Sequence, residues 1–293
     1  VYLDKTSNLL SSLDLPLSNG FTSYIENIGK VENRGFEVKA TAFIVRDNAK
    51  RLSWSVTGSL VHNKDKVVKL SEAMKNEYAK RLLMGGTTPN SVIQEGESQY
   101  TIYAVPSLGI DPSNGYELFL KKNGEVTYTW DAADRVACGN TQPKFRGAFS
   151  SMVRWGNFSA NISLGYRFGG QIYNSTLANR IENADKHYNV DDRVFNDRWH
   201  QPGDHTLFKG LTNESQSYAT TRFVQDERTL TCQNIHLSYQ LQANPWLMKT
   251  FGVQYLTLGS DISDLFYLST VKQERGLSYP YSRRFSFSLS LSF

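Results

Sequence analysis

The chain has no apolar run approaching the roughly 18 residues that a membrane-spanning helix needs. That excludes a helical membrane protein but not a β-barrel, whose strands need about ten residues with half of them polar. Cysteine is scarce: Cys138 and Cys232 are too few for a disulfide framework and are either one bridge or two structural thiols. An excess of one charge is also lacking. The 32 Lys and Arg against 28 Asp and Glu leave a net +4, scattered along the chain, so no nucleic-acid partner is expected. There is no Gly-rich phosphate-binding motif and no Ser-His-Asp or Cys-His set in a recognisable context, so no enzyme is expected. His200 and His205, with Asp204 between them, have no convincing third ligand and read as solvated loop residues. Asn189, Asp191, Asp192, Asn196 and Asp197 lack the ordered spacing of a calcium loop. No metal or other cofactor is expected. The chain opens at Val1 with neither Met nor a charged-then-apolar leader, and reads as a portion of something longer.

What is present is alternation. The last nine residues, Phe285-Ser-Phe-Ser-Leu-Ser-Leu-Ser-Phe293, put Phe285, Phe287, Leu289, Leu291 and Phe293 on one side of a strand and serines on the other. Across residues 33–45, Phe36, Val38, Ala40, Ala42 and Ile44 oppose Glu37, Lys39 and Thr41, although Phe43 and Val45 break the polar side. A return strand carries Trp54, Val56, Gly58 and Leu60. The clearest pair runs Phe145, Gly147, Phe149, Ser151, Val153, Trp155, turns at Gly156-Asn157, and returns with Phe158, Ala160, Ile162, Leu164, Tyr166 and Phe168. A third pair has Ile235, Leu237, Tyr239 and Leu241, a turn through Asn244-Pro245-Trp246, and a return with Phe251, Val253 and Tyr255. With a weak first strand over residues 1–10 and the terminal one, this predicts about eight antiparallel strands and an all-β, transmembrane-barrel fold.

The connections at residues 46–51, 155–157 and 242–249 are short, whereas those at 11–30, 67–143, 174–225 and 262–282 are long. Short periplasmic turns alternating with long outside loops are the asymmetry of an outer-membrane barrel. The parity puts Phe293 on the periplasmic side and gathers Trp54, Trp155, Phe158 and Tyr239 into an aromatic girdle there. The long stretches are rich in turn residues and are expected to carry function or fold over the barrel mouth.

Two sets of candidate site residues follow. Lys144, Arg146, Arg154 and Arg167, with Asn161 and His236, fall on the polar faces of their strands and are expected to face the lumen. The basic ones would line it or pair with carboxylates of a plug. Tyr100, Tyr103, Tyr116, Trp130, Tyr173 and Trp199 lie in the long stretches, where they would stack on sugar rings, pack against a lid, or pack among the loops themselves.

Several segments carry a family resemblance: Asn27-Ile-Gly-Lys-Val-Glu-Asn-Arg-Gly-Phe-Glu37, Leu108-Gly-Ile-Asp-Pro-Ser-Asn-Gly115, Gly139-Asn-Thr-Gln-Pro-Lys-Phe145, Gly170-Gln-Ile-Tyr-Asn174, Arg198-Trp-His-Gln-Pro-Gly-Asp204 and Asn234-Ile-His-Leu-Ser-Tyr239. In this order and spacing, and with the terminal strand, the chain resembles the C-terminal part of SusC/RagA-type TonB-dependent transporters of Bacteroidota outer membranes. The resemblance implies that residues 1–293 are one portion of a barrel of about 22 strands with a plugged lumen. The plug, the TonB-contacting segment and the earlier strands would lie outside this chain. It further implies a SusD/RagB-like surface lipoprotein as lid, TonB and outer-membrane lipid as partners, and oligosaccharides or peptides as cargo. The rivals are a complete small barrel such as an adhesin, whose narrow interior these small polar faces would fill poorly, and a secreted carbohydrate-binding β-sandwich, which gives no reason for the loop parity.

Overall fold

The computed structural model describes residues 1–14, 20–21, 23–185, 187–242, 245–272 and 283–293. The chain opens with strands β1 (Tyr2–Asp14), β2 (Ser23–Asp47) and β3 (Leu52–Leu70). Helix α1 (Glu72–Leu83) follows, then short strands β4 (Thr101–Ala104), β5 (Ser107–Ile110), β6 (Glu117–Leu120), β7 (Val126–Thr127) and β8 (Val136–Asn140). After β9 (Phe145–Trp155) and β10 (Phe158–Tyr173) come a π-helical turn (Leu177–Glu182) and α2 (Arg193–Asn196). The chain then forms β11 (Val224–Gln242), α3 (Pro245–Phe251), β12 (Tyr255–Ser263), β13 (Tyr267–Ser269) and β14 (Arg284–Ser292). One antiparallel sheet runs β1-β2-β3-β9-β10-β11-β12-β14, with β13 also on β11. Those eight strands match the eight expected.

The chain divides into two compact units. The strand belt comprises Phe36–His62, Lys144–Gly169 and Glu227–Phe293. Its register keeps like with like. Leu52, Trp54, Val56, Gly58 and Leu60 lie opposite Trp155, Val153, Ser151, Phe149 and Gly147, which in turn lie opposite Phe158, Ala160, Ile162, Leu164 and Tyr166. Leu241, Tyr239, Leu237 and Ile235 similarly align through Leu256, Leu258, Ser260 and Ile262 with Leu291, Leu289, Phe287 and Phe285. This apolar face is exposed, Phe287 by 84% and Leu289 by 63%. Leaving a large apolar side chain in water forgoes about 1.5–3 kcal/mol, so such a face needs an apolar cover. Gly147 lets the face close up: the Tyr166 hydroxyl donates to the Ser59 carbonyl at 2.7 Å, and a Cβ on Gly147 would fall 2.0 Å from that carbonyl oxygen.

The loop body comprises Val1–Gly35, Asn63–Pro143 and Gly170–Asp226. It has two cores. Val31, Val67, Leu70, Met74, Tyr78, Val92 and Tyr103 form one; Ala178, Ile181, Val194, Phe208 and Phe223 form the other. Helix α1 begins where the Ser71 hydroxyl accepts from the Met74 N–H and ends where the buried Arg135 guanidinium donates to the carbonyls of Leu82 (2.6 Å) and Met84 (2.8 Å). Both cysteines are free thiols. Cys138 is pushed up to about 11 by burial, which keeps it protonated and unreactive.

Three expectations need correction. The connection over 67–143 starts later, since β3 runs on to Leu70, and between its turns it carries α1 and five short strands. The stretch 11–30 is largely strand, because Leu10–Asp14 pair with Ser23–Asn27 in one ladder. The return strand placed at Phe251 and Val253 starts instead at Tyr255, since 245–251 form a helix. Asn244 of that turn, and 273–282 of the last long connection, lie outside the described residues. Phe43, which broke the alternation of β2, lies under the Arg46 guanidinium at 5.7 Å.

Candidate functional site

The register places most of the expected lumen residues on one face of the belt. Arg154 lies opposite Ser53 and Ser159, Asn161 opposite Met152, and Arg146 opposite Arg167. Ser150 donates to Asn161 at 2.8 Å, and the Ser159 and Ser238 hydroxyls meet at 2.6 Å, which carries the polar face onto β11. His236 sits two residues from Ser238 with its Nδ1 2.8 Å from the Asp261 carboxylate. Two like charges directly opposite repel. Arg167 offsets this with an ion pair to the buried Glu227 at 2.7 Å, so it finds a carboxylate in its own sheet. Lys144 stands one residue before β9, with its aliphatic stem packed over Gly169 and its carbonyl oxygen 2.6 Å from His62 Nδ1.

The loop body is organised by a buried charge cluster that sequence reasoning missed. Arg222 contacts Glu117 with two nitrogens, Nη2 at 2.6 Å and Nε at 3.0 Å, and Glu182 with Nη2 at 2.7 Å. All three side chains are nearly inaccessible, at 3%, 6% and 0% exposure. Two hydroxyls add to the same oxygens, and the Lys209 N–H donates to the other Glu182 oxygen at 3.3 Å. Ser107 donates to Glu117 at 2.6 Å, and Ser217 to Glu182 at 2.7 Å. Burial alone would push the Glu182 carboxyl up, but Arg222, Ser217 and Lys209 hold it below its ordinary value. The partners are 105 and 40 residues apart in sequence, so no local pattern announces them.

Several segments that carry the family resemblance pack on one another here. Trp199 Nε1 and the Gly203 N–H both donate to the Pro112 carbonyl, at 2.9 and 2.8 Å, and a Cβ on Gly115 (φ +75°) would meet the Trp199 ring at 2.5 Å. The Asn140 N–H donates to the Gln171 side chain at 3.0 Å. Asp204 accepts the N–H groups of His200 and Gln201, both at 2.9 Å, and so closes a turn.

The six loop aromatics separate accordingly. Tyr103 is buried at 4% exposure in the first core, so it is a packing residue and not an exposed contact; burial also pushes its hydroxyl up to about 12. Trp130 donates to the Ala219 carbonyl at 3.2 Å and stacks on Tyr218 at 4.5 Å, while Trp199 is held by Pro112 as above. Tyr173 donates to the Thr87 carbonyl at 2.8 Å. Tyr100 and Tyr116 are half exposed. Tyr100 and Tyr173 line one cavity of about 420 Å³ with Thr88, Gln99, Thr141, Ile172 and others, and none of its lining residues is charged. Hydroxyls, amides and phenol rings without charge suit a neutral, hydroxyl-rich ligand. Tyr116 lies elsewhere, beside the β5-β6-β7 ribbon. Glu117 and Phe119 of β6 are buried, while Tyr116, Leu108, Val126 and Tyr128 are each about half exposed, leaving an apolar strip uncovered in this chain.

An antiparallel sheet with one continuous apolar face, one polar face and short turns alternating with a long-loop body defines an outer-membrane β-barrel. No protein-family model matches the chain. TonB-dependent receptor P39 of Formosa agariphila is 25% identical over 319 aligned residues, covering 90% of this chain and 29% of the relative. TonB-dependent receptor P3 of the same organism is 30% identical over 195, covering 60% and 19%. Among solved structures, the RagAB peptide transporter superposes with a TM-score of 0.78 at 20% identity, over 99% of this chain and 32% of that one. The "open-open" state of the RagAB peptide importer gives 0.73 at 18% identity, over 99% and 32%. The chain is similar to a part of these TonB-dependent receptors and shares the fold of the matching part of the RagAB barrel, and it spans under a third of the length of these relatives.

Proposed function

We propose that this chain is the closing portion of an outer-membrane importer of the TonB-dependent kind, in which the loop body shapes the outer entrance and the polar belt face lines the lumen. The observation that carries the reading is the pairing, within one chain, of a two-faced strand belt with a loop body braced from inside by Arg222 and holding an uncharged cavity at Tyr100 and Tyr173. The cargo is an oligosaccharide or a peptide. The uncharged lining favours a neutral oligosaccharide, since a peptide brings two charged termini. Energy comes through TonB, acting on a plug domain that lies outside these residues. A SusD/RagB-like lipoprotein is the lid, and the apolar strip at Tyr116, Leu108, Val126 and Tyr128 is the surface offered to it. Arg146, Arg154, Asn161 and His236 face the lumen, and the C-terminus is periplasmic.

The test is to solubilise native outer membranes in mild detergent, isolate whatever carries this C-terminal strand, and weigh it with its companions. The expected result is a polypeptide about three-fold longer, arriving with a lipoprotein and retaining neutral oligosaccharides. A lone chain near 33 kDa, the mass of these residues, overturns it.

A further inference from the structure

A second cavity, of about 600 Å³, lies in the belt between β10, β11 and β13 and has a different character. Its lining includes Phe168, Leu230 and Leu268, exposed by 41%, 37% and 58%, together with Arg228. Leu230 pairs directly with Leu268, and Phe168 is the last member of the apolar row that begins at Phe158. The exposed residues of β11 change parity on the way. Leu237 and Tyr239 are odd-numbered, whereas Arg228 and Leu230 are even-numbered. The change falls where β11 leaves β12 for β13, across Asp264 with its left-handed φ of 55°. The consequence is that Arg228 shares a face with apolar side chains, while Glu227 turns the other way to meet Arg167.

The position along the strand fixes the depth. From Phe158 to Phe168 the chain advances ten residues, about 33 Å, which at the usual strand tilt of about 40–45° is a rise of roughly 25 Å, the height of a barrel's apolar band. Trp155 and Phe158 mark one edge of that band, so Phe168 and Leu230 mark the other and Arg228 stands just beyond it, at the level of lipid headgroups. The Arg228 backbone is held by Thr270, whose hydroxyl accepts its N–H at 2.9 Å and whose N–H donates to its carbonyl at 3.1 Å. No carboxylate among the described residues pairs with its guanidinium, which is exposed. An exposed guanidinium on an anchored backbone, with no carboxylate partner among the described residues and above an apolar hollow, is complementary to a phosphate joined to an acyl chain, with the planar fork suited to two phosphate oxygens.

We propose that this hollow is a site for a phosphorylated lipid of the outer leaflet, with Arg228 on the phosphate and an acyl chain lying over Phe168, Leu230 and Leu268. The proposal rests on the reading that the apolar belt face meets lipid. The test uses the full-length protein in detergent and compares retention of lipid A with that of dephosphorylated lipid A, for wild type, Arg228→Gln and Arg228→Lys. Loss of phosphate and Arg228→Gln should each lower retention about five-fold or more, with Arg228→Lys retaining part of it. Inorganic phosphate should not compete at concentrations equal to the lipid. Equal retention of both lipids by wild type, unchanged retention by Arg228→Gln, or displacement by inorganic phosphate alone would overturn the site. Arg228→Gln removes no side-chain contact among the described residues, and its assembly is checked by the heat-dependent gel mobility of a folded barrel. Failure of the wild type to enter detergent micelles at all would instead sink the membrane reading itself.

Discussion

The strand belt and the loop body solve the problem of burying polar groups in opposite ways. In the belt, backbone groups between neighbouring strands pair in the ladder, and side chains are sorted by parity alone: Leu289 opposite Leu258, Ser290 opposite Thr257. Its contacts are repetitive, and its large apolar side chains stay exposed within this chain, to be covered by something other than protein. In the loop body two cores of apolar side chains are covered by protein, and the hard problem is charge. Arg222, Glu117 and Glu182 are taken out of water together, at a desolvation cost that their mutual contacts and the Ser107 and Ser217 hydroxyls must offset. The difference teaches that the belt tolerates exchange of one apolar residue for another, whereas the loop body depends on a few irreplaceable polar partners.

The sharpest way to separate the two is to break the cluster. Arg222→Ala leaves two buried carboxylates without their cation and is expected to cost about 3–5 kcal/mol. Loops of residues 170–226 should become accessible to protease and to amide exchange, while the heat-resistant mobility of the barrel persists; loss of both together would show that the units are not separable. The reciprocal break is Leu289→Arg, a charge on the apolar face, expected to cost about 2–4 kcal/mol if it lies near mid-bilayer. Barrel assembly in membranes should fall, and normal assembly would show that this face does not meet lipid. Acid should act selectively and more gently. Because the folded Glu182 carboxyl sits below its ordinary value, its contribution is present above the ordinary carboxylate range near 4.3 and is lost as pH falls through the lower folded value. Loop-body protease resistance should therefore hold at pH 7 and 5 and drop as the pH is taken below the ordinary carboxylate range, ahead of any change in the belt. The smallest effect is expected at Tyr100→Ala, which removes a half-exposed ring from the cavity. It should weaken a neutral oligosaccharide about five-fold, equal to about 1 kcal/mol, in titration calorimetry, with folding unchanged.

Much of the belt was legible from the sequence because the strand period is two and each facing is decided locally. Residues 145–168 and 285–293 give their register away residue by residue. The parity change in β11 was not legible: Asn234 to Leu241 alternate cleanly, and nothing in the residues just before them signals that the exposed set switches. In the loop body one signal went unread. Ser71 before Glu72, Lys80 and Arg81 in the last turn, and Gly85-Gly86 beyond are the start and stop marks of helix α1. Its weak amphipathicity, with only Met74 and Tyr78 buried, hid it among polar residues. The Arg222 cluster had no such signal, since ion pairs across 105 residues follow from tertiary placement alone. Of the six aromatics chosen for exposure, Tyr100 and Tyr116 remain half exposed, and the fate of Tyr103 was decided by α1 packing with it into one core.

The sheet ends at β1 on one side and at β14 on the other, each paired on one flank only among the described residues. Along the outer flank of β14 alternate residues from Arg284 to Ser292 present a row of open N–H and C=O groups, with no proline to interrupt it. Such an edge is a template for another strand. Made by itself, this stretch of chain would be a self-adhesive ribbon, adding copies edge to edge and drifting toward fibrils, and its good behaviour depends on neighbouring strands arriving before its own siblings do.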